Sequence, residues 1–218
     1  MTHHLGKANW NDEERINGLI RSYSTRYDNL FWKTFIPLVG PEPRKAIADF
    51  GCGPGLFLVD AAEKFSAQVL IGLDESQEML DHAEQFIQER TSVESYELKT
   101  INFDVTRIPL QPDSVDLAFS GYMLHEVSDP QDFVKQIGRI VRRGGVYVVY
   151  DFVSGNEAVF VQKMIERDMS EEQARKRYPH MCKHSIDDII SLMRDAGLKE
   201  VKGRAVNDIR AVVVGHMK

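Results

Sequence analysis

The chain has 218 residues, 43% of them hydrophobic, enough for one well-buried domain with a cap and too few for two full domains. Its 27 Lys and Arg against 33 Asp and Glu leave a net charge of −6, which argues against nucleic acid as partner and for a small ligand. Only Cys52 and Cys182 occur, the amino terminus is polar, and no apolar run approaches the length of a membrane span, so a cytoplasmic protein with no membrane partner is expected.

From Asn11 to Phe35, Ile16, Leu19, Ile20, Tyr23, Tyr27, Leu30, Phe31 and Phe35 recur at steps of three and four, one face of a helix or of two short ones. The segment "PLVGPEP" carries Pro37, Gly40, Pro41 and Pro43, which predicts that the helix ends there. A helical cap over residues 1–43 is therefore expected ahead of a main domain at 44–218. From Lys45 onward short apolar runs alternate with amphipathic helices. "KAIADFG", "AQVLIGLD", "YELKTINFDV", "SVDLAFSGY" and "GGVYVVYDF" read as strands, with "GLFLVDAAEKF", "SQEMLDHAEQFIQER" and "DPQDFVKQIGRIVR" as helices between several of them. Continuous apolar strands in this rhythm imply a parallel sheet covered on both faces, doubly wound by right-handed crossovers. After Phe152 a charged, helix-prone insertion at 153–184 precedes the helix "SIDDIISLMRDAG". Two apolar runs across an "ND" turn then predict an antiparallel hairpin at the carboxyl end.

The stretch "DFGCGPG" puts Gly51, Gly53 and Gly55 at the first strand-to-helix turn, where open α/β sheets bind their ligands. A dinucleotide needs G-x-G-x-x-G, but Leu56 fills the third position and Gly55 falls one residue early. Asp49, just before the turn, would repel a pyrophosphate and suit a cationic ligand. Asp74 ends the second strand roughly twenty residues after the turn, the spacing at which an acid reaches ribose hydroxyls.

The series "DFGCGPG", "GLDESQEML", "FDV" and "DLAFSGYMLHEVSDP" resembles the class I S-adenosylmethionine-dependent methyltransferases, in particular the small-molecule branch related to the ubiquinone/menaquinone-biosynthesis enzymes. That resemblance implies a Rossmann-like, mostly parallel seven-stranded sheet and S-adenosylmethionine as cofactor. It implies that Gly51 and Gly53 lie under the methionine moiety with Asp49 near its ammonium group, and that Asp74 takes the ribose hydroxyls. Met79 would lie on the adenine face, with Asp104 and the Val105 N–H reading the adenine edge. Ser120 would meet the amino-acid end through its main chain, and Tyr27 would close over the cofactor. The insertion at 153–184 falls where the family elaborates an acceptor-covering lid.

A sulfonium methyl is already activated, so positioning for in-line displacement is the main requirement, and a hydroxyl acceptor would also use a general base. His125, in "SGYMLHEV", is the candidate base, its ordinary pKa near 6.5 suiting proton acceptance around neutrality. Tyr122, Glu126 and Asp151 are weaker alternatives. The basic run Arg175, Lys176, Arg177 and Lys183, with its histidines, suits an anionic acceptor or a solvated helix face. His180, Cys182 and His184 alternate as soft-metal ligands do but lack a matching second half, and no metal is expected. The absence of an N-P-P-Y type segment agrees with a small-molecule acceptor over nucleic acid. A protein or peptide acceptor and a non-catalytic cofactor-binding module stay open as alternatives, and oligomeric state is undetermined.

Overall fold

A computed structural model describes residues 10–104 and 107–218. The cap holds α1 (Glu13–Arg21), α2 (Tyr23–Arg26) and α3 (Asn29–Val39). There follow β1 (Ala46–Phe50), α4 (Leu56–Phe65), β2 (Val69–Asp74), α5 (Gln77–Arg90), β3 (Ser95–Thr100), β4 (Val115–Gly121), α6 (Pro130–Ile140) and β5 (Val141–Phe152). The chain continues through α7 (Glu157–Ile165), α8 (Glu171–Met181), α9 (Ile186–Asp195), β6 (Lys199–Asn207) and β7 (Arg210–His216). Among the described residues no helix is long and apolar enough to cross a membrane.

The strands form one seven-stranded sheet in the order β3-β2-β1-β4-β5-β7-β6. Strands β1 to β5 pair in parallel, and β7 runs antiparallel to both β5 and β6, as the hairpin reading expects. The order reverses between β1 and β4, so the carboxyl ends of these two strands flank a crevice.

Every residue of β1 is buried, and alternate side chains feed opposite cores: Ile47 joins Phe31, Phe35, Leu58 and Phe65 on one face. Ala48 and Phe50 join Phe133, Ile137 and Met193 on the other. A third cluster, with Phe152, Phe160 and Cys182, holds α7 and α8 against the end of β5.

Local chemistry explains the element ends. Asp28 accepts from Phe31 N at 2.9 Å to start α3, and Ser76 accepts from Met79 N at 3.1 Å to start α5. Four features differ from the sequence reading. The cap is broken into three helices because Ser22 and Tyr27 interrupt it. Helix α3 runs through Pro37 to Val39 and stops at Gly40, φ +88°; so near the carboxyl end the proline costs one hydrogen bond and the turn is completed by Gly40 N donating to Ile36 O at 2.9 Å. Helix α6 ends at Ile140, since Val141 is already extended and pairs with Val115, and β3 stops at Thr100, short of the expected Val105.

Candidate active site

At the carboxyl ends of β1, β2 and β4 lies a cleft with about 1040 Å³ of empty space including its open mouth. Its floor is the glycine turn. Gly51 N and Cys52 N both donate to Leu73 O, at 2.8 and 3.0 Å, and Gly53 N donates to Asp74 Oδ2 at 2.7 Å. The amides that would hold a pyrophosphate are thus spent on the end of β2, an independent reason the turn is not a dinucleotide fingerprint. Gly51 has φ +74°, and a Cβ there would come within 3.0 Å of Met123 Sδ, so only glycine brings the main chain this close to the cleft.

Asp74 is anchored from below. Besides Gly53 N it accepts from Ser76 N at 3.0 Å, which leaves each carboxylate oxygen a further lone pair. Burial raises its pKa above the usual carboxylate value, with the Ser76 and Gly53 N–H groups working against that rise.

Asp49 is different: it is 3% exposed, faces the same cleft, and its Oδ1 has no hydrogen-bond partner among the described residues. Burial first, and the charge of Asp74 second, push its pKa well above the ordinary value. A buried carboxylate left without a partner needs a cation to complete it.

The cap closes the other side. Tyr27 lines the cleft, stacked on Tyr23 at 4.8 Å between ring centroids and edge-on to Tyr122 at 6.0 Å. Tyr23 is itself tied to the main domain by its hydroxyl, which donates to Asp60 Oδ2 at 2.7 Å. Arg26 also lines the cleft; its guanidinium lies 5.5 Å from the Tyr122 ring centre, makes no ion pair among the described residues, and keeps an unpartnered Nε. Tyr122 adopts φ +57°, a strained conformation for a non-glycine residue, and accepts from Arg210 Nη1 at 2.8 Å.

Met79 and Asp104 line the cleft as well, so Tyr27, Asp49, Gly51, Gly53, Asp74, Met79 and Asp104 are brought together. Val105 lies outside the described residues. Ser120 is not on the cleft. It is fully buried in β4 with its Oγ 2.8 Å from the Tyr147 hydroxyl, and Gly121 takes the lining position. Arg26, Glu75, Gly121 and Met123 are lining residues that the sequence reading did not single out. Arg26 stands directly before Tyr27, and that adjacency was the available signal.

His125 does not present a free ring to the cleft. It is 5% exposed, with Nδ1 2.7 Å from Asp151 Oδ1 and Nε2 3.3 Å from Glu126 Oε1. Burial disfavours the charged ring, but the charge and hydrogen bond of Asp151, with help from Glu126, outweigh it and hold the imidazolium. Both ring nitrogens are engaged by carboxylates, so His125 meets the cleft through Glu126 and not through a free imidazole edge. Glu126 is the neighbour that lines the cleft; burial would raise its pKa, yet His125 and His180 bring it down to about 2.

None of the basic residues Arg175, Lys176, Arg177 and Lys183 is a lining residue of the cleft. Arg175 is bound to Glu171 and Glu157 on an exposed face, and Lys183 donates to Val127 O at 3.3 Å. Cys52 and Cys182 are both free and buried, and burial raises both thiol pKa values, so neither is an activated nucleophile.

Residues 48–149 match the family model described as "Methyltransferase domain". Over that stretch, just under half of the chain, the sequence is similar to methyltransferases. An uncharacterized chloroplastic methyltransferase of Arabidopsis thaliana is 33% identical over 108 residues, covering 49% of this chain and 31% of that protein. A demethylmenaquinone methyltransferase of Bacillus licheniformis is 24% identical over 223 residues, covering 87% and 90%. The solved structure of a methyltransferase from Aquifex aeolicus shares the fold with a TM-score of 0.67 at 17% identity, covering 95% and 99%. The chain spans about a third of the length of the first curated relatives it matches. The methyltransferase cofactor is S-adenosylmethionine. The lining is chemically compatible with that group: the unpartnered Asp49 oxygen suits an ammonium group, and the remaining Asp74 lone pairs suit hydroxyls.

Proposed function

We propose that the chain transfers a methyl group from S-adenosylmethionine to a small-molecule acceptor by in-line displacement. The observation that carries this reading is the pair of unmatched charges in one cleft, the Asp49 carboxylate and the Arg26 guanidinium, which complement the ammonium and carboxylate of an amino acid. Asp74 takes the ribose hydroxyls, Met79 covers the adenine face, and Asp104 with the Val105 N–H reads the adenine edge. Gly51 and Gly53 let the methionine part approach the main chain, with Gly121 in the place expected of Ser120. When bound, the cofactor supplies a methyl carbon already activated by a positive sulfur.

The chain's own work is then alignment and exclusion of water. Tyr27, Tyr23 and Tyr122 form an aromatic wall that shields the reacting end, and such positioning supplies several kcal/mol, roughly seven or more in favourable intramolecular cases. Glu126, ionised and held between two histidines, orients an acceptor hydroxyl by accepting its hydrogen bond. His125 is a positioning residue, acting through Glu126. The acidic lining favours a hydroxyl-bearing acceptor over an anionic one, since no α8 cation lines the cleft and Arg175 is paired with Glu157 and Glu171. The demethylmenaquinone methyltransferase among the relatives supports a small-molecule acceptor, and the two free thiols support a reducing, cytoplasmic setting.

Calorimetry on nucleoside-free protein tests the cofactor half: S-adenosylhomocysteine should bind with one-to-one stoichiometry and NAD should not. Transfer of a labelled methyl group from S-adenosylmethionine into a metabolite extract tests the transfer. Heat with NAD alone, or none with either nucleoside, ends the reading; binding without any labelled product leaves a cofactor-binding module instead.

A further inference from the structure

We infer that His125, Glu126 and His180 form a binding site for a first-row divalent cation of the zinc class on the acceptor side of the cleft. One donor atom from each of the three lies within 4.8 Å of the others. His125 Nε2 is 3.3 Å from Glu126 Oε1, and His180 Nε2 is 3.1 Å from Glu126 Oε2. Ligands in a tetrahedron with zinc bonds of about 2.0–2.1 Å sit about 3.3 Å apart; each imidazole already stands at about that distance from one oxygen of the Glu126 carboxylate, His125 from Oε1 and His180 from Oε2, so a small turn of the carboxylate would offer one oxygen to both. The gap between the two imidazoles closes by rotation of His180, whose side chain is exposed at the end of α8, while its ring already stands 5.6 Å from that of His125.

The support behind His125 is what separates this cluster from a chance surface group. Asp151, 2% exposed, accepts at 2.7 Å from His125 Nδ1, and its carboxylate also accepts from the main-chain N–H groups of His125 and Phe152. This carboxylate accepts from Nδ1–H and directs Nε2 toward Glu126, so a bound cation would displace the Nε2 proton to solvent and leave the Nδ1–H to carboxylate arrangement that metal-ligating histidines have. Two imidazoles and one carboxylate also suit the borderline-soft ions better than magnesium or calcium, which prefer oxygen. Glu126 lines the cleft, so the coordination position left open points where an acceptor oxygen would sit, and a cation there would lower that oxygen's pKa. It would also tie the lid helix α8 to the end of β4.

The site can be tested without turnover. Chelator-treated full-length protein carrying H3A and H4A, which removes the histidine pair at the amino terminus, is titrated with Co²⁺ while visible absorption is recorded, then with Zn²⁺. One saturable equivalent of Co²⁺, displaced by Zn²⁺, is expected. His180→Ala and Glu126→Gln should each weaken binding at least about tenfold, His184→Ala should leave it unchanged, and S-adenosylhomocysteine should still bind to His180→Ala. No saturable cobalt spectrum, or affinity that survives both ligand substitutions, overturns the site and leaves an ion-pair network between α8 and β4. Because His180 is exposed, loss of folding does not confound its substitution.

Discussion

Replacing Asp49 with Asn should make the cofactor-free protein more stable and the complex weaker, two effects of opposite sign from one atom pair. In the free protein the carboxylate is 3% exposed, with Oδ1 unpartnered among the described residues and Asp74 adding like charge. Leaving a buried polar group unsatisfied costs about 1–3 kcal/mol, and more for a charge, so the isosteric neutral residue should recover about that amount. For a chain of this size each kcal/mol moves Tm by about 2–4 °C. Because the folded-state pKa is raised, the penalty is absent below the ordinary carboxylate value of about 4 and grows as pH climbs toward the folded value. The two proteins should therefore melt alike near pH 4 and diverge above it, the wild type being the lower. With S-adenosylhomocysteine the order changes, because a charge-assisted hydrogen bond worth about 1.5–3 kcal/mol is lost and affinity falls about ten- to a hundredfold. Thermal melts across pH with and without ligand, together with calorimetry, read both effects. Equal affinity in the two proteins would refute the assignment of Asp49 to the ammonium group, and equal melting at every pH would refute the claim that its charge is uncompensated.

Asp74→Ala removes the acceptor for both Gly53 N and Ser76 N, so Tm should fall and S-adenosylhomocysteine affinity should drop more than about a hundredfold by calorimetry, given about 1.5–3 kcal/mol for each charged hydrogen bond. Gly121→Ala would drive a Cβ into the Tyr27 hydroxyl and within 2.7 Å of the Phe119 ring; ligand affinity should fall, and adding Tyr27→Phe should restore part of it. Tyr147→Phe deletes the bond to Ser120 and should lower stability by about 1 kcal/mol while leaving ligand affinity unchanged, which a melt and a titration together check. A change of affinity in that last variant would return Ser120 to the site.

Strand and helix rhythm in the main domain was readable because buried parallel strands are continuous apolar runs and the helices between them carry a clear polar face. The end of α6 was not readable, since "RIVR" satisfies both periodicities and only pairing of Val141 with Val115 decides it. The placement of Asp74 beside the glycine turn was legible from its spacing after that turn. The surroundings of His125 were not, because its partner Asp151 lies 26 residues further on at the end of the neighbouring strand. Arg26 was missed for a similar reason: a helix-end arginine reads as solvated until the fold turns it over Tyr122.

The choice between a phosphate-bearing and a sulfonium ligand is made twice at this crevice, by hydrogen bonding and by charge. The turn amides are committed to Leu73 and Asp74, which removes the usual anion cradle and at the same time fixes the Asp74 carboxylate against the loop. Among the described residues, Asp49, Asp74, Glu75, Asp104 and Glu126 all line the cleft against a single lining cation, Arg26. A like charge about 6 Å away costs about 3 kcal/mol at an effective dielectric of about 20, so a pyrophosphate would meet repulsion from more than one side. A ligand with positive charge at sulfur and ammonium meets the same field with the opposite sign. The glycine spacing and the acid lining thus select the same ligand through different forces, and converting the site to a dinucleotide cleft would need both to change.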